Sequence, residues 1–216
     1  SGVGCPELGS LLLMPTTGKP DADIKNYGSK ISRLKAEPGL FSCNIDRYNI
    51  QSQSSATLRT GISEFTFPAG ESNILLNLGE GLTNESGAFA RIVSDTEVEG
   101  MKLLGTFCYN PQAVFPVYFV MMVSKTPKRV VYWKKQRPMT AEAAWDNTAG
   151  TYKFYEKYNR EIAGDDIGVI YNYETKADER ITVKIGISYV SIDNARKNLE
   201  TEQPAVEAAN TTNHAR

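Results

Sequence analysis

The chain has 216 residues, 41% of them hydrophobic, and a formal net charge of −1. That length suits one large β domain or two small ones, with enough apolar residues for a core. A charge so near zero gives no pull toward nucleic acid or an anionic membrane surface, and no run approaches the roughly 18 apolar residues of a membrane span.

Ser1 is neither an initiator Met nor the start of a signal-peptide pattern, which leaves a processed protein, an expression product or a fragment open. Gly2 and Gly4 flank Val3 ahead of Cys5. Such a loop allows positive φ and close approach of a ligand, and its bare amides can bind sugar hydroxyls; a tight turn feeding the next strand is the alternative. Ser10–Met14 has the length of a buried strand, with Leu12 a core position. Pro15–Ser29 is turn-rich and reads as a surface loop. Phe41, Cys43 and Ile45 alternate with polar residues, a clear strand. Ile50–Thr60, rich in Ser, Thr and Gln, reads as an exposed strand. Gly61–Phe67, closed by Pro68–Ala69–Gly70, and Ile74–Leu78 follow as strands.

Phe89–Val93, Glu97–Leu104 and Val114–Ser124 read as a meander. The third, with Phe119 at its centre, is apolar on both faces and so belongs between two covering layers. Arg129–Lys134 is strand-like, and Arg137–Asp165 reads as a polar, irregular excursion. Ile167–Tyr173 and the strand over 181–190 flank a turn, which predicts a hairpin. Ile181, Val183, Ile185, Ile187 and Tyr189 alternate with Thr182, Lys184, Gly186 and Ser188, giving a long strand with one buried face. Ser191 offers a cap, and Ile192, Ala195 and Leu199 follow at helical spacing. Many short strands at about ten-residue spacing predict an all-β sandwich, here with a C-terminal helix and a frayed tail.

Cys5, Cys43 and Cys108 show no CxxC spacing and read as buried thiols, with one disulfide possible in an oxidising compartment. His214, the single histidine, lies in the polar tail, which argues against histidine catalysis and histidine-ligated zinc. Glu64, Glu71, Asp95, Glu97, Glu99, Asp165 and Asp166 are candidate carboxylates, but linear spacing picks out no acid–base pair. Asp165–Asp166 reads as a turn before it reads as a cation site, which needs six to eight oxygens. Tyr132, Trp133, Trp145, Tyr152, Phe154, Tyr155 and Tyr158 form either a glycan platform or a cluster pinning a loop. Lys125, Lys128, Arg129, Lys134, Lys135 and Arg137 read as a solvated face. Asn84-Glu85-Ser86 and Asn210-Thr211-Thr212 fit the glycosylation sequon.

GVGCPELGSLLLMPTTG (Gly2–Gly18), SATLRTGISEFTFP (Ser55–Pro68), SNILLNL (Ser72–Leu78), VYFVMMVSK (Val117–Lys125) and KIGISYVSIDNARKNLETE (Lys184–Glu202) occur in this order. Together they resemble the N-terminal β-sandwich of glycoside hydrolase family 92, calcium-dependent exo-acting α-mannosidases. The resemblance implies a galactose-mutarotase-like supersandwich over residues 1–190. It implies that residues 191–216 are a linker helix and tail leading to an (α/α)6 barrel absent here, with further strands missing before Ser1. It places the acid, the base and the Ca2+ ligands in the barrel, leaving no catalytic residue, cofactor or metal in this chain. It puts substrate contact at Gly2, Val3, Gly4 and Cys5, an α-mannoside glycan and the barrel as partners without nucleic acid or membrane, and a periplasmic or extracellular location. Two departures stand out: Ser32-Arg33-Leu34 replaces a Ser-His-Glu segment, and Gly61-Ile62-Ser63 replaces Gly-Phe-His. The expected role is the non-catalytic half of a mannosidase-like glycoside hydrolase. The alternatives are a stand-alone carbohydrate-binding module and a structural packing domain.

Overall fold

The computed structural model describes residues 9–81, 84–105, 114–140, 149–156 and 160–203. They form two antiparallel sheets packed face to face, as the alternation predicts. The smaller runs β1 (Leu12–Thr17), β6 (Gly70–Asn77), β13 (Ile167–Thr175), β10 (Arg129–Gln136), β11 (Thr151–Glu156). The larger runs β12 (Glu161–Gly164), β7 (Asn84–Ser94), β8 (Glu97–Gly105), β9 (Phe115–Val123), β14 (Glu179–Ser188), β5 (Thr60–Phe67), β4 (Ile50–Ala56), β3 (Leu40–Ile45), β2 (Ile31–Glu37). The meander β7-β8-β9 is present.

The hairpin expected between β13 and β14 is not. β13 pairs with β6 and β10 in the smaller sheet, whereas β14 pairs with β5 and β9 in the larger. β5 and β6 make the same crossing in the opposite direction. Pairing runs from Thr175–Gly70 on one side of the corner to Glu179–Phe67 on the other, so one two-stranded ribbon bends through both sheets. Asp178 takes φ +59° at this corner, an αL conformation that Asp tolerates.

Ile74 and Leu76 from β6, Val169 and Tyr171 from β13, and Tyr132 from β10 meet Phe65, Phe67, Phe119, Met121, Ile181 and Val183 from the larger sheet. This is the core between the sheets. β9 is covered on its other face as well, where Val120 packs on Ala195 and Leu199 of the helix α2 (Ile192–Glu202). The two-sided apolar pattern therefore marks a strand between the opposing sheet and a helix. α2 also changes the reading of β14: Thr182 and Lys184, expected to face solvent, are buried. Lys184 Nζ donates to the Gln203 carbonyl at 2.8 Å. The Ser191 hydroxyl caps α2, accepting from Asn194 N at 3.1 Å. Gly186 lets the helix approach, since a Cβ there would sit 2.4 Å from the Ala195 carbonyl oxygen.

Three further expectations are corrected. Pro15–Ser29 is not all loop: β1 runs on to Thr17, and the short helix α1 (Ile24–Tyr27) buries Tyr27 on the smaller sheet, with Ala22 just before it buried there too. The polar stretch 137–165 contains β11 and β12. Leu12 is only half-buried, because β1 is an edge strand.

Candidate functional site

The glycine loop, Gly2, Val3, Gly4 and Cys5, lies outside the described residues. Its point of attachment does not. β1 starts at Leu12 opposite Asn77, so residues 9–11 enter at the Asn77 end of the smaller sheet. A polar cluster occupies the same end. Asn77 Nδ2 donates to the Tyr27 hydroxyl at 2.8 Å, and Asn77 Oδ1 accepts from Gly79 N at 2.8 Å. Tyr152 donates to Asp166 Oδ2 at 3.1 Å, and Lys135 Nζ stands 3.8 Å from the same oxygen. Lys102, wholly buried, donates to the Glu80 carbonyl at 2.5 Å. Asp166 Oδ1 is buried without a hydrogen-bond partner among the described residues.

The local sequence explains this assembly. Asn77 closes a buried apolar strand, and Gly79 lets the chain turn beneath Asp166, whose Oδ1 would be 2.6 Å from any Cβ there. Tyr152 and Lys135 are cross-strand partners, so their side chains share one face, the ammonium 5.5 Å from the ring centroid. Burial raises the Glu80 carboxyl above the usual carboxylate range, with Asp166 adding to the effect. Burial likewise raises Asp166, against the Tyr152 hydrogen bond and Lys135. Burial pushes the Tyr27 hydroxyl up to about 12. The cluster thus gathers hydroxyl, amide and carboxyl groups that are largely buried and bonded to one another, which fixes the end of the sheet where residues 9–11 enter.

Asp166 yields a pH prediction. A folded-state value above the unfolded one makes its stabilising contribution full at low pH and lost as pH rises through the raised value. Asp166→Asn removes this titration and keeps an acceptor for Tyr152. Relative to the parent chain, the variant should melt higher at about pH 7 than it does at about pH 3.5, in thermal scans at both values. A melting difference that does not change with pH would contradict the assignment.

The other sequence candidates separate. Glu97 and Glu99 both hold Arg196 of α2 at 2.6 Å, and Glu99 also pairs with Arg91. Glu64 pairs with Arg180, and Glu71 with Arg129. These carboxylates are engaged on outer faces and do not converge as an acid and a base. The aromatics divide as well. Tyr132 faces the core, with its hydroxyl bound to the Arg160 carbonyl, while Trp133, Tyr152 and Phe154 share the outer face of the smaller sheet. Trp145, Tyr158, Cys5, Cys108, His214 and the second sequon lie outside the described residues, and Cys43 is buried as expected. The basic residues are not merely solvated: Lys125 pairs with Glu179 at 2.5 Å and Arg129 with Glu156 at 3.1 Å. Calcium finds no fitting donor set among the described residues. At Asp165–Asp166 an ammonium already stands in the counter-ion position.

Sequence reasoning missed the Tyr27–Asn77–Asp166–Tyr152 cluster. The signal was present as asparagines inside apolar strands, Asn73 and Asn77 in β6 and Asn172 in β13, all buried. A buried amide must find a partner, and the partners come from distant segments. Of the two departures, Ser32 and Arg33 lie on the exposed edge strand β2, where Arg33 takes φ +49° at a bulge. Ser63 pairs its hydroxyl with Ser54 at 2.9 Å.

A model of the glycosyl hydrolase family 92 N-terminal domain matches residues 1–188. Among solved structures, the family GH92 alpha-mannosidase BT3965 from Bacteroides thetaiotaomicron, in complex with mannoimidazole, matches with a TM-score of 0.81 at 24% identity. The match covers 100% of this chain and 28% of that one. The family GH92 inverting mannosidase BT2199 from the same organism matches with a TM-score of 0.73 at 19% identity, over 96% of this chain and 25% of that one. These likenesses show the fold, and the chain spans little more than a quarter of the length of either enzyme. No curated protein matches the chain. No helix among the described residues is long and apolar enough to cross a membrane.

Proposed function

The chain belongs to the glycosyl hydrolase family 92 N-terminal domain family, and on that premise we propose that it is the non-catalytic N-terminal part of an α-mannosidase-like glycoside hydrolase. The family match over residues 1–188 carries this reading. In it, the sandwich positions a mannoside glycan and docks a catalytic domain that follows α2. In this reading residues 1–190 belong to the sandwich domain and residues 191–216 are the link from it to the catalytic domain. α2 suits the role because it is fixed to the sheet at several points. Arg196 bridges Glu97 and Glu99, and Glu202 accepts from Arg59 N at 3.0 Å and from the Thr57 hydroxyl at 2.5 Å. A helix so held gives the chain beyond it a defined direction.

Glycan contact in this reading falls at Gly2, Val3, Gly4 and Cys5. The acid, the base and calcium belong to the following domain, and the glycan substrate goes with a periplasmic or extracellular location. The test is an assay with a chromogenic α-mannoside and added calcium, run on this chain alone and on this chain joined to a family 92 catalytic domain. The chain alone should give no turnover, because an acid and a base acting as a unit leave no proportionate remainder when separated. Turnover by the chain alone that survives repurification and is lost on chelation would overturn the reading.

A further inference from the structure

The outer face of the smaller sheet carries a second feature, toward its β11 edge. Its lining runs from the rung of Arg129, Asn172 and Asn73 to Phe154, which stands on the rung of Trp133, Gly168 and Asn77 but two strands further toward the edge than Gly168. Here lies a cleft of about 230 Å³. Val131 and Ile170 line it, with Phe154 as an aromatic wall and Asn172 and Arg129 bringing polar groups. Lys19, from the segment after β1, also borders it.

We propose that this cleft is a secondary glycan-binding site that holds a single pyranose unit. The choice of a mannoside as ligand rests on the function proposed above; the site itself rests on three observations. First, the volume is below the roughly 300–1,000 Å³ of pockets that take drug-sized ligands, and so suits one sugar ring. Second, the walls match the two kinds of surface a pyranose has. The 43% exposed Phe154, backed by the buried Val131 and Ile170, offers an apolar surface for the C–H face of the ring. Third, the polar groups are oriented before a ligand arrives. Asn172 is 2% exposed, and its amide nitrogen donates to both Glu71 Oε1 at 3.0 Å and Asn73 Oδ1 at 2.7 Å. Both of its N–H bonds are therefore committed, which leaves its carbonyl oxygen as the acceptor for a sugar hydroxyl. Arg129 is held between Glu156 at 3.1 Å and Glu71 at 3.7 Å, and its planar guanidinium has further N–H groups for neighbouring hydroxyls.

Binding here does not lead to hydrolysis. It retains the chain on a branched or polymeric glycan while a separate active site works on an end. The affinity of one ring for such a shallow site falls in the millimolar range, and several rings on one polymer raise it through multivalency.

The experiment is a heteronuclear NMR titration of the chain with methyl α-D-mannopyranoside. Amide shifts should move saturably at Val131, Phe154, Ile170 and Asn172, with a millimolar Kd. Phe154→Ala should weaken binding at least fivefold, whereas Phe154→Trp, which keeps an aromatic face, should retain it. Phe154 is partly exposed, so both variants are expected to fold, and the amide spectrum reports whether they do. No saturable shift, or an unchanged Kd in Phe154→Ala, would overturn the proposal. Shifts confined to Tyr27, Asn77 and Tyr152, with Val131, Phe154, Ile170 and Asn172 unmoved, would overturn the cleft and leave the proposed function standing. Mannoside turnover by the chain alone would remove that function and leave the cleft intact.

Discussion

Phe119→Ala is expected to destabilise the chain by about 3–5 kcal/mol, seen as a lower urea midpoint at an unchanged slope. Phe119 is fully buried at the centre of β9, where it stands opposite Gly100 on one side and Ile187 on the other. The Phe119 ring lies against Gly100, so removing it opens a void in line with a residue that has no side chain to fill it. Neither the facing sheet nor α2 behind the strand can collapse freely into that space. Leu12→Ala provides the contrast. Leu12 is half-buried on an edge strand, and its truncation should cost about 1–2 kcal/mol. Equal losses for the two variants would mean that the core does not lie between the sheets at β9.

Gly168→Val should be at least as damaging, for the opposite reason. Gly168 stands opposite Trp133 in the register of β10 and β13, and the indole lies across it. A Cβ at this position would be 2.1 Å from Trp133 Cζ2 and 2.6 Å from the Leu76 carbonyl oxygen. Trp133 is fully buried with Leu75 and Ile170 beneath the segment that carries Ala22 and Tyr27, so the ring has nowhere to go. Overpacking of this kind costs about 3 kcal/mol or more when a backbone atom is among the clashing partners. The expected result is loss of soluble protein, or a cold-shifted, broadened thermal transition. Gly61→Ala is the control, since a Cβ there meets nothing within 4 Å, and it should stay within about 1 kcal/mol of the parent. A well-folded Gly168→Val would show that the indole does not occupy the outer face as described.

What the sequence determined by itself is local. Period-two alternation marked β3 and β14, because a strand with one buried face must repeat every second residue, and a run apolar on both faces marked β9. Ser191 followed by Ile192, Ala195 and Leu199 located α2, since capping and helical spacing act within a single turn or two. The ordered motifs led to the family that the match over residues 1–188 shows. Tertiary structure decided the rest. The sheet to which each strand belongs is set by partners far along the chain: β13 and β14 are three residues apart and pair in different sheets. β2, β11 and β12 escaped notice because edge strands need no apolar repeat to be held. Lys184 looked solvated, and is buried because the end of α2 brings the Gln203 carbonyl over it as an acceptor. Asn73, Asn77 and Asn172 interrupt apolar strands without announcing a site. Only when the sheet stacks them under distant segments do their amides find fixed partners, since a buried polar group is stable only where the whole fold brings it something to bind.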